Sequence, residues 1–149
     1  MKIIKVKGTN KDFIFLAERL LSFQQDLLPV LKGTDYNLTD DLDDIVGYIL
    51  YIDGKPVGSI GVRKVDDETC EIVRVFVDEN YRDNGYAVLL FKKIEKLAKN
   101  MGFKRAEMFT WAESKSAIKL YTKLGYTISE EKVSEWFKGL RYVEIYKYL

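Results

Sequence analysis

Apolar side chains recur along this chain in two rhythms. Over residues 2–6, 45–52, 55–64, 69–77, 104–111, 126–129 and 141–148 they alternate, or form short β-branched and aromatic runs, and these predict strands. Elsewhere the steps are three and four. Phe13, Leu16, Ala17, Leu20, Leu21, Gln24, Leu27 and Leu28 form one such series. Ala87, Leu90, Phe91, Ile94, Leu97, Ala98 and Met101 form a second, and Ala117, Leu120, Tyr121 and Leu124 a third. Each predicts a helix with one buried face. Thr9-x-x-Asp12 fits a helix start and Pro29 a stop, while Gly102 and Gly125 suit the left-handed C-terminal position. Asp53-Gly54 predicts a hairpin and Asp66-Asp67 a turn. Residues 30–36 read as a loop, 37–44 as an acidic loop or short helix, and 130–139 as a polar excursion carrying Trp136 and Phe137.

The resulting order is α+β, with a mixed and mostly antiparallel twisted sheet. An antiparallel meander is followed by a β-α-β crossover, which should be right-handed. No repeat or internal boundary breaks the series, so residues 1–149 are expected to form one domain.

The stretch 75–87 organises the chain. It leaves a strand, breaks at an Asp/Glu/Asn cluster, turns at Gly85 and restarts as a helix. Free backbone N–H groups and the positive end of the helix dipole converge on such a turn and make an anion site. Glycine lets a phosphate approach the backbone closely. The plainer reading is that Gly85 only makes a tight turn. Neither G-x-x-x-x-G-K-[ST] nor G-x-G-x-x-G is present.

Composition narrows the chemistry. With 47% hydrophobic and 32% charged residues the chain should be globular. A net charge of +1 leaves no electrostatic footprint for nucleic acid. Histidine is absent, which removes Ser-His-Asp and Cys-His catalysis and the commonest metal ligand. The lone cysteine, Cys70, permits no disulfide within the chain and no thiolate zinc cluster, so no metal is expected. No run could span a bilayer and no signal peptide opens the chain, so a cytoplasmic protein without a membrane partner is expected.

Two blocks resemble the GNAT N-acetyltransferase superfamily. Arg82-Asp83-Asn84-Gly85-Tyr86-Ala87 matches that family's phosphate turn, Q/R-x-x-G-x-G/A. Ala117 through Leu120-Tyr121 to Gly125-Tyr126 is similar to its second hallmark, and the blocks follow in the expected order. The resemblance implies a three-layer α/β arrangement, splayed between the fourth and fifth strands, with helices on both faces. It also implies acetyl-CoA as co-substrate. Val75, Phe76 and Val77 would then pair with the pantetheine arm, and the amides of Asp83, Asn84, Gly85, Tyr86, Ala87 and Val88, with Arg82, would hold the pyrophosphate. Ser114 stands where many relatives carry asparagine. It reads either as a cofactor contact or as a helix N-cap.

Acetyl transfer to a primary amine, by direct attack in a ternary complex, needs a neutral amine, donors for the tetrahedral oxyanion and a proton for the departing thiolate. A phenol can be the donor, since with a pKa of about 10, above a thiol at about 8.5, it is still protonated when the thiolate departs. Tyr121 reads from its pattern as core or acid, and the resemblance favours the acid. Glu71 reads as a solvent-facing strand residue, while the resemblance implies it as the base, directly or through water. Trp111, Trp136 and the aromatics of the last strand fit either an acceptor pocket or the core. Arg74, Tyr81 and Cys70 receive no role. The acceptor is expected to be a small-molecule or peptide amine. The acidic 35–44 region hints at a cationic one, such as a polyamine or lysine-containing compound. A homodimer is left open. The competing reading is a non-catalytic acyl-CoA sensor on the same fold.

Overall fold

A computed structural model describes every residue from Met1 to Leu149. Its elements are β1 (Lys2–Lys7), α1 (Lys11–Leu27), β2 (Val46–Ile52), β3 (Lys55–Lys64), β4 (Thr69–Val77), α2 (Tyr86–Asn100), β5 (Arg105–Trp111), α3 (Lys115–Lys123), β6 (Thr127–Ile128), β7 (Lys132–Val133) and β8 (Arg141–Tyr148). Single 3₁₀ turns lie at Pro29–Leu31, Leu42–Asp44 and Glu79–Tyr81. The eight strands form one mixed sheet in the order β1-β2-β3-β4-β5-β8-β6, with β7 also paired to β8. Only β4 and β5 run parallel. The helix joining that pair is α2, as the crossover requires. No helix is long and apolar enough to cross a membrane.

Two local expectations change. The cap of α1 is Asn10, not Thr9: its Oδ1 accepts from the N–H groups of Asp12 and Phe13 at 2.9 and 3.2 Å. The side-chain oxygen must lie two and three residues before the donors it satisfies, and Thr9 is one position too early. The excursion at 130–139 is partly a hairpin, since Lys132 and Val133 pair with Tyr142 and Arg141.

The alternation of the strands sends side chains into two separate cores. Leu50, Ile60, Val62, Cys70 and Ile72 meet Leu90, Phe91, Ile94 and Ala98 of α2 on one face. Ile45, Ile49, Val73 and Phe76 meet Phe13 and Leu16 of α1 on the other. Each fully buried Leu, Ile or Phe contributes about 1.5–3 kcal/mol, so the amphipathic helix faces, not helix propensity, hold the layers together. Gly47 and Gly61 sit opposite each other on β2 and β3. A Cβ at Gly47 would overlap the Ile60 carbonyl and one at Gly61 the Ile45 side chain, and both would crowd the Phe13 ring of α1, so both positions are bare.

β4 and β5 share only three rungs, Thr69 to Glu71 against Arg105 to Glu107. Beyond them β4 continues with β3, and β5 with β8. The sheet is therefore open between its two middle strands. A bulge also interrupts β4. Gly61 opposes Val73 and Ser59 opposes Phe76, so Ile60 alone faces both Arg74 and Val75. Arg74 takes up the extra residue at φ +56°. The regular alternation expected from Glu71 through Val77 therefore stops at Val73. Val75 and Val77 swing to the α2 face and Phe76 to the α1 face.

Candidate active site

One cleft of about 870 Å³ opens where β4 and β5 part, and nearly every residue expected at the site lines it. Val75, Phe76 and Val77 form its β4 wall. This strand edge has no β5 partner, so its polar groups, apart from the Val77 carbonyl that accepts from Arg82, are free to bond an extended amide-bearing arm as a further strand would.

At the end of β4 the chain passes Glu79–Tyr81 and turns into α2. Asp83 and Gly85 both have positive φ, +64° and +76°. Gly85 is the N-cap of α2 and offers no side chain to its first turn. The first internal bond of the helix is Leu89 N–H to the Gly85 carbonyl at 3.2 Å. The N–H groups from Asp83 to Val88 donate to nothing in the protein. A Cβ at Gly85 would meet no atom within 4 Å. The turn is thus an open nest of donors at a helix N-terminus, with the chemistry for a pyrophosphate. Arg82 braces it: its Nε donates to the Val77 carbonyl at 2.9 Å, and its guanidinium lies 4.5 Å from the centroid of the Phe23 ring. Asn84 alone of the named residues does not line the cleft. Its side chain turns back to the carbonyls of Tyr81 and Arg82, at 3.1 and 3.0 Å, and holds the turn.

Tyr121 reaches the cleft from α3, on the α2 face of the sheet. It is 6% exposed and packs against Phe91 and Tyr126, with centroids 5.6 and 6.5 Å away. Burial pushes its phenol up to about 12, and the Thr110 side chain offsets part of that rise. The group is therefore a protonated donor at any physiological pH. Ser114 occupies the N-cap position of α3, but its hydroxyl makes no capping bond. It lines the cleft instead, free to meet a ligand.

Glu71 stands on the last shared rung of β4 and β5, opposite Glu107, and lines the cleft. It is not a bare solvent-facing carboxylate. Arg63 Nε and Nη2 both donate to its Oε1, at 3.0 and 2.8 Å. Arg63 also pairs with Asp41, and Asp41 pairs in turn with Arg74. Burial raises the carboxyl of Glu107; Arg105 opposes that rise and Glu71 adds to it. Glu71 and Tyr121 lie on opposite faces of the sheet. Both line the cleft that opens between β4 and β5.

Arg74 matters more than its sequence context indicated. It is the bulge residue, and its side chain, 8% exposed, donates to the Leu38 carbonyl at 2.9 Å and to Asp41. Its own carbonyl accepts from the buried Ser59 hydroxyl at 2.8 Å. This lock holds the bulge and the acidic loop together. No sequence signal marks it, because positive φ at an arginine is imposed by tertiary contacts. Cys70 is fully buried, its thiol pushed up to about 11 by burial, and is correspondingly inert.

The profile of the acetyltransferase (GNAT) family matches residues 15–126, and the chain belongs to that family. An uncharacterized N-acetyltransferase of Methanocaldococcus jannaschii is 29% identical over 100 residues, covering 63% of this chain and 44% of the relative. The chain spans half or less of the length of the curated relatives it matches. Among solved structures, a GNAT-family acetyltransferase of Staphylococcus aureus superposes with a TM-score of 0.75 at 20% identity, covering 99% of both chains. An aminoglycoside 6'-N-acetyltransferase complexed with coenzyme A superposes with a TM-score of 0.74 at 16% identity, covering 99% of this chain and 97% of that one. Both likenesses are of fold.

Proposed function

We propose that the protein transfers an acetyl group from acetyl-CoA to a primary amine by direct attack within a ternary complex. The observation that carries this reading is the coincidence, in one cleft, of an unpaired β4 edge, a nest of unbonded amides from Asp83 to Val88 and the Tyr121 phenol. The amides hold the pyrophosphate. The edge from Val75 to Val77 holds the pantetheine arm, which lays the thioester across the opening beside Tyr121. Ser114 adds a hydroxyl from the α3 side.

The neutral amine attacks the thioester carbonyl carbon. A C–N bond forms and the carbonyl electrons move to oxygen, where a backbone N–H near Phe76 or Val77 bonds the oxyanion. Its collapse breaks the C–S bond. The sulfur leaves with the electron pair and takes a proton from Tyr121, while the nitrogen loses its extra proton to Glu71, directly or through water. Tyr121 recovers its proton from solvent. The Arg63 pair holds Glu71 in place through Oε1 alone, which leaves Oε2 to take the proton of the ammonium formed after attack.

Calorimetry with acetyl-CoA, followed by CoA release in the presence of an amine panel, tests this. Binding is expected, with a stabilisation of about 2.7 kcal/mol at a hundredfold excess over Kd. Binding without amine-dependent CoA release would instead identify an acyl-CoA sensor. No binding would overturn both readings.

A further inference from the structure

The acceptor end of the cleft is walled by aromatic rings on the α1 side of the sheet. Phe109, Tyr142 and Trp136 form a connected series, with centroids 6.1 Å apart for the first pair and 6.3 Å for the second. All three line the cleft, yet Phe109 is 54% and Trp136 74% exposed. A single exposed ring is ordinary on a protein surface; touching rings that face one cleft form an unfilled apolar wall.

This rim rests on a fixed backing. Tyr36, Trp111 and Phe137 meet edge-on, with centroids 5.5 to 6.1 Å apart, above the buried Leu28, Leu31 and Leu140. The Tyr36 hydroxyl donates to Gln24 at 2.7 Å. The Ser134 hydroxyl accepts from the N–H groups of Trp136 and Phe137, at 3.2 and 3.0 Å, and pins the loop that presents Trp136. With Tyr142 paired to Trp111 across β5 and β8, the backbone that carries the rim rings is held, which lowers the ordering cost of stacking on a ligand.

The charge pattern points the same way. The acidic 35–44 region sends one carboxylate to the cleft, Asp41, and two arginines already take it. Counting every residue that lines the cleft, four carboxylates face four cationic side chains. There is no excess negative field to hold a second ammonium group. The hint of a polyamine or lysine-like acceptor is not supported by this balance.

We infer that the acceptor is a primary monoamine carrying a flat aromatic body, which stacks on Phe109, Tyr142 and Trp136 while its nitrogen points to the gap between β4 and β5. The inference rests on the acetyl-transfer reading of the same cleft. The test compares 2-phenylethylamine, butylamine and spermidine as acceptors at saturating acetyl-CoA, and measures 2-phenylethylamine binding to the CoA-loaded protein by calorimetry. 2-Phenylethylamine should exceed butylamine in kcat/KM by about tenfold, the worth of one well-made ring contact, and should exceed spermidine. Trp136→Ala and Phe109→Ala should each lower the ratio of 2-phenylethylamine to butylamine, chiefly through KM, while the Kd for acetyl-CoA stays close to that of the parent. Equal rates for the ring and chain amines, a preference for spermidine, a ratio unmoved by both substitutions, or no calorimetric binding would each overturn the inference. Turnover of spermidine alone would do so while leaving acetyl transfer intact. Failure to bind acetyl-CoA would remove both readings together.

Discussion

Tyr121→Phe separates the acid from the packing around it. The ring stays against Phe91 and Tyr126, and only the hydroxyl is lost. With the phenol near 12 and an ordinary thiol near 8.5, complete proton transfer to a water-like thiolate is uphill by roughly 3.5 pKa units, about 5 kcal/mol. Burial of the thiolate raises its own pKa and closes part of that gap. The proton therefore crosses late, the phenol's hydrogen bond strengthening as the C–S bond breaks and negative charge builds on sulfur. An interaction of that kind is realised in the transition state, so kcat should fall and acetyl-CoA affinity should change little. The expected loss is roughly 10²–10⁴-fold, or about 3–5 kcal/mol. Single-turnover CoA release gives the chemical step, and calorimetry gives the Kd. The pH profile adds an independent check. An acid works while protonated, so a group near 12 is lost only as pH rises through about 12. The parent enzyme should show no falling limb from this group below about pH 11. A Phe variant with near-parental kcat, chemistry being rate-limiting, would refute the acid role, leaving water or the bound amine as the proton source.

Gly85→Val should weaken acetyl-CoA binding strongly. The protein itself has room for the side chain, so fold loss should be limited to roughly 1–3 kcal/mol of strain at φ +76°; an unchanged Kd in a folded variant, by calorimetry and circular dichroism, would remove the phosphate-turn assignment. Glu71→Gln should lower kcat/KM by roughly 10²-fold near pH 7 and much less near pH 10, where hydroxide competes for the proton of the ammonium formed after attack; a pH-independent loss would assign Glu71 to positioning only. Alkaline stability should follow the buried phenol. The folded pKa of Tyr121 lies above its unfolded value near 10, so its contribution is present below pH 10 and is lost as pH rises through about 12. By pH 12, Tyr121→Phe should lose about 2 kcal/mol less than the parent in urea unfolding; identical losses would contradict the burial effect.

Much of this architecture is legible in the chain because it depends on local periodicity. The short apolar runs of β2, β3 and β8 mark strands, and the three-four spacing of α2 demands one buried face and dictates which residues lie on it. The same holds for the anion turn: Gly85 between a strand and a helix leaves amides unbonded wherever the rest of the chain goes. Tertiary structure decided three other things. The Arg74 bulge moved Val75 and Val77 to the opposite face from the one that strict alternation after Glu71 implies. Asp41 passed from an acidic surface run into a network with Arg63 and Arg74, residues 22 and 33 positions away. The Tyr36, Trp111 and Phe137 rings met from three distant segments to back the acceptor wall. None of these follows from a local rule. Each depends on contacts between positions remote in sequence, whose energy exists only once the strands and loops that carry them have come together.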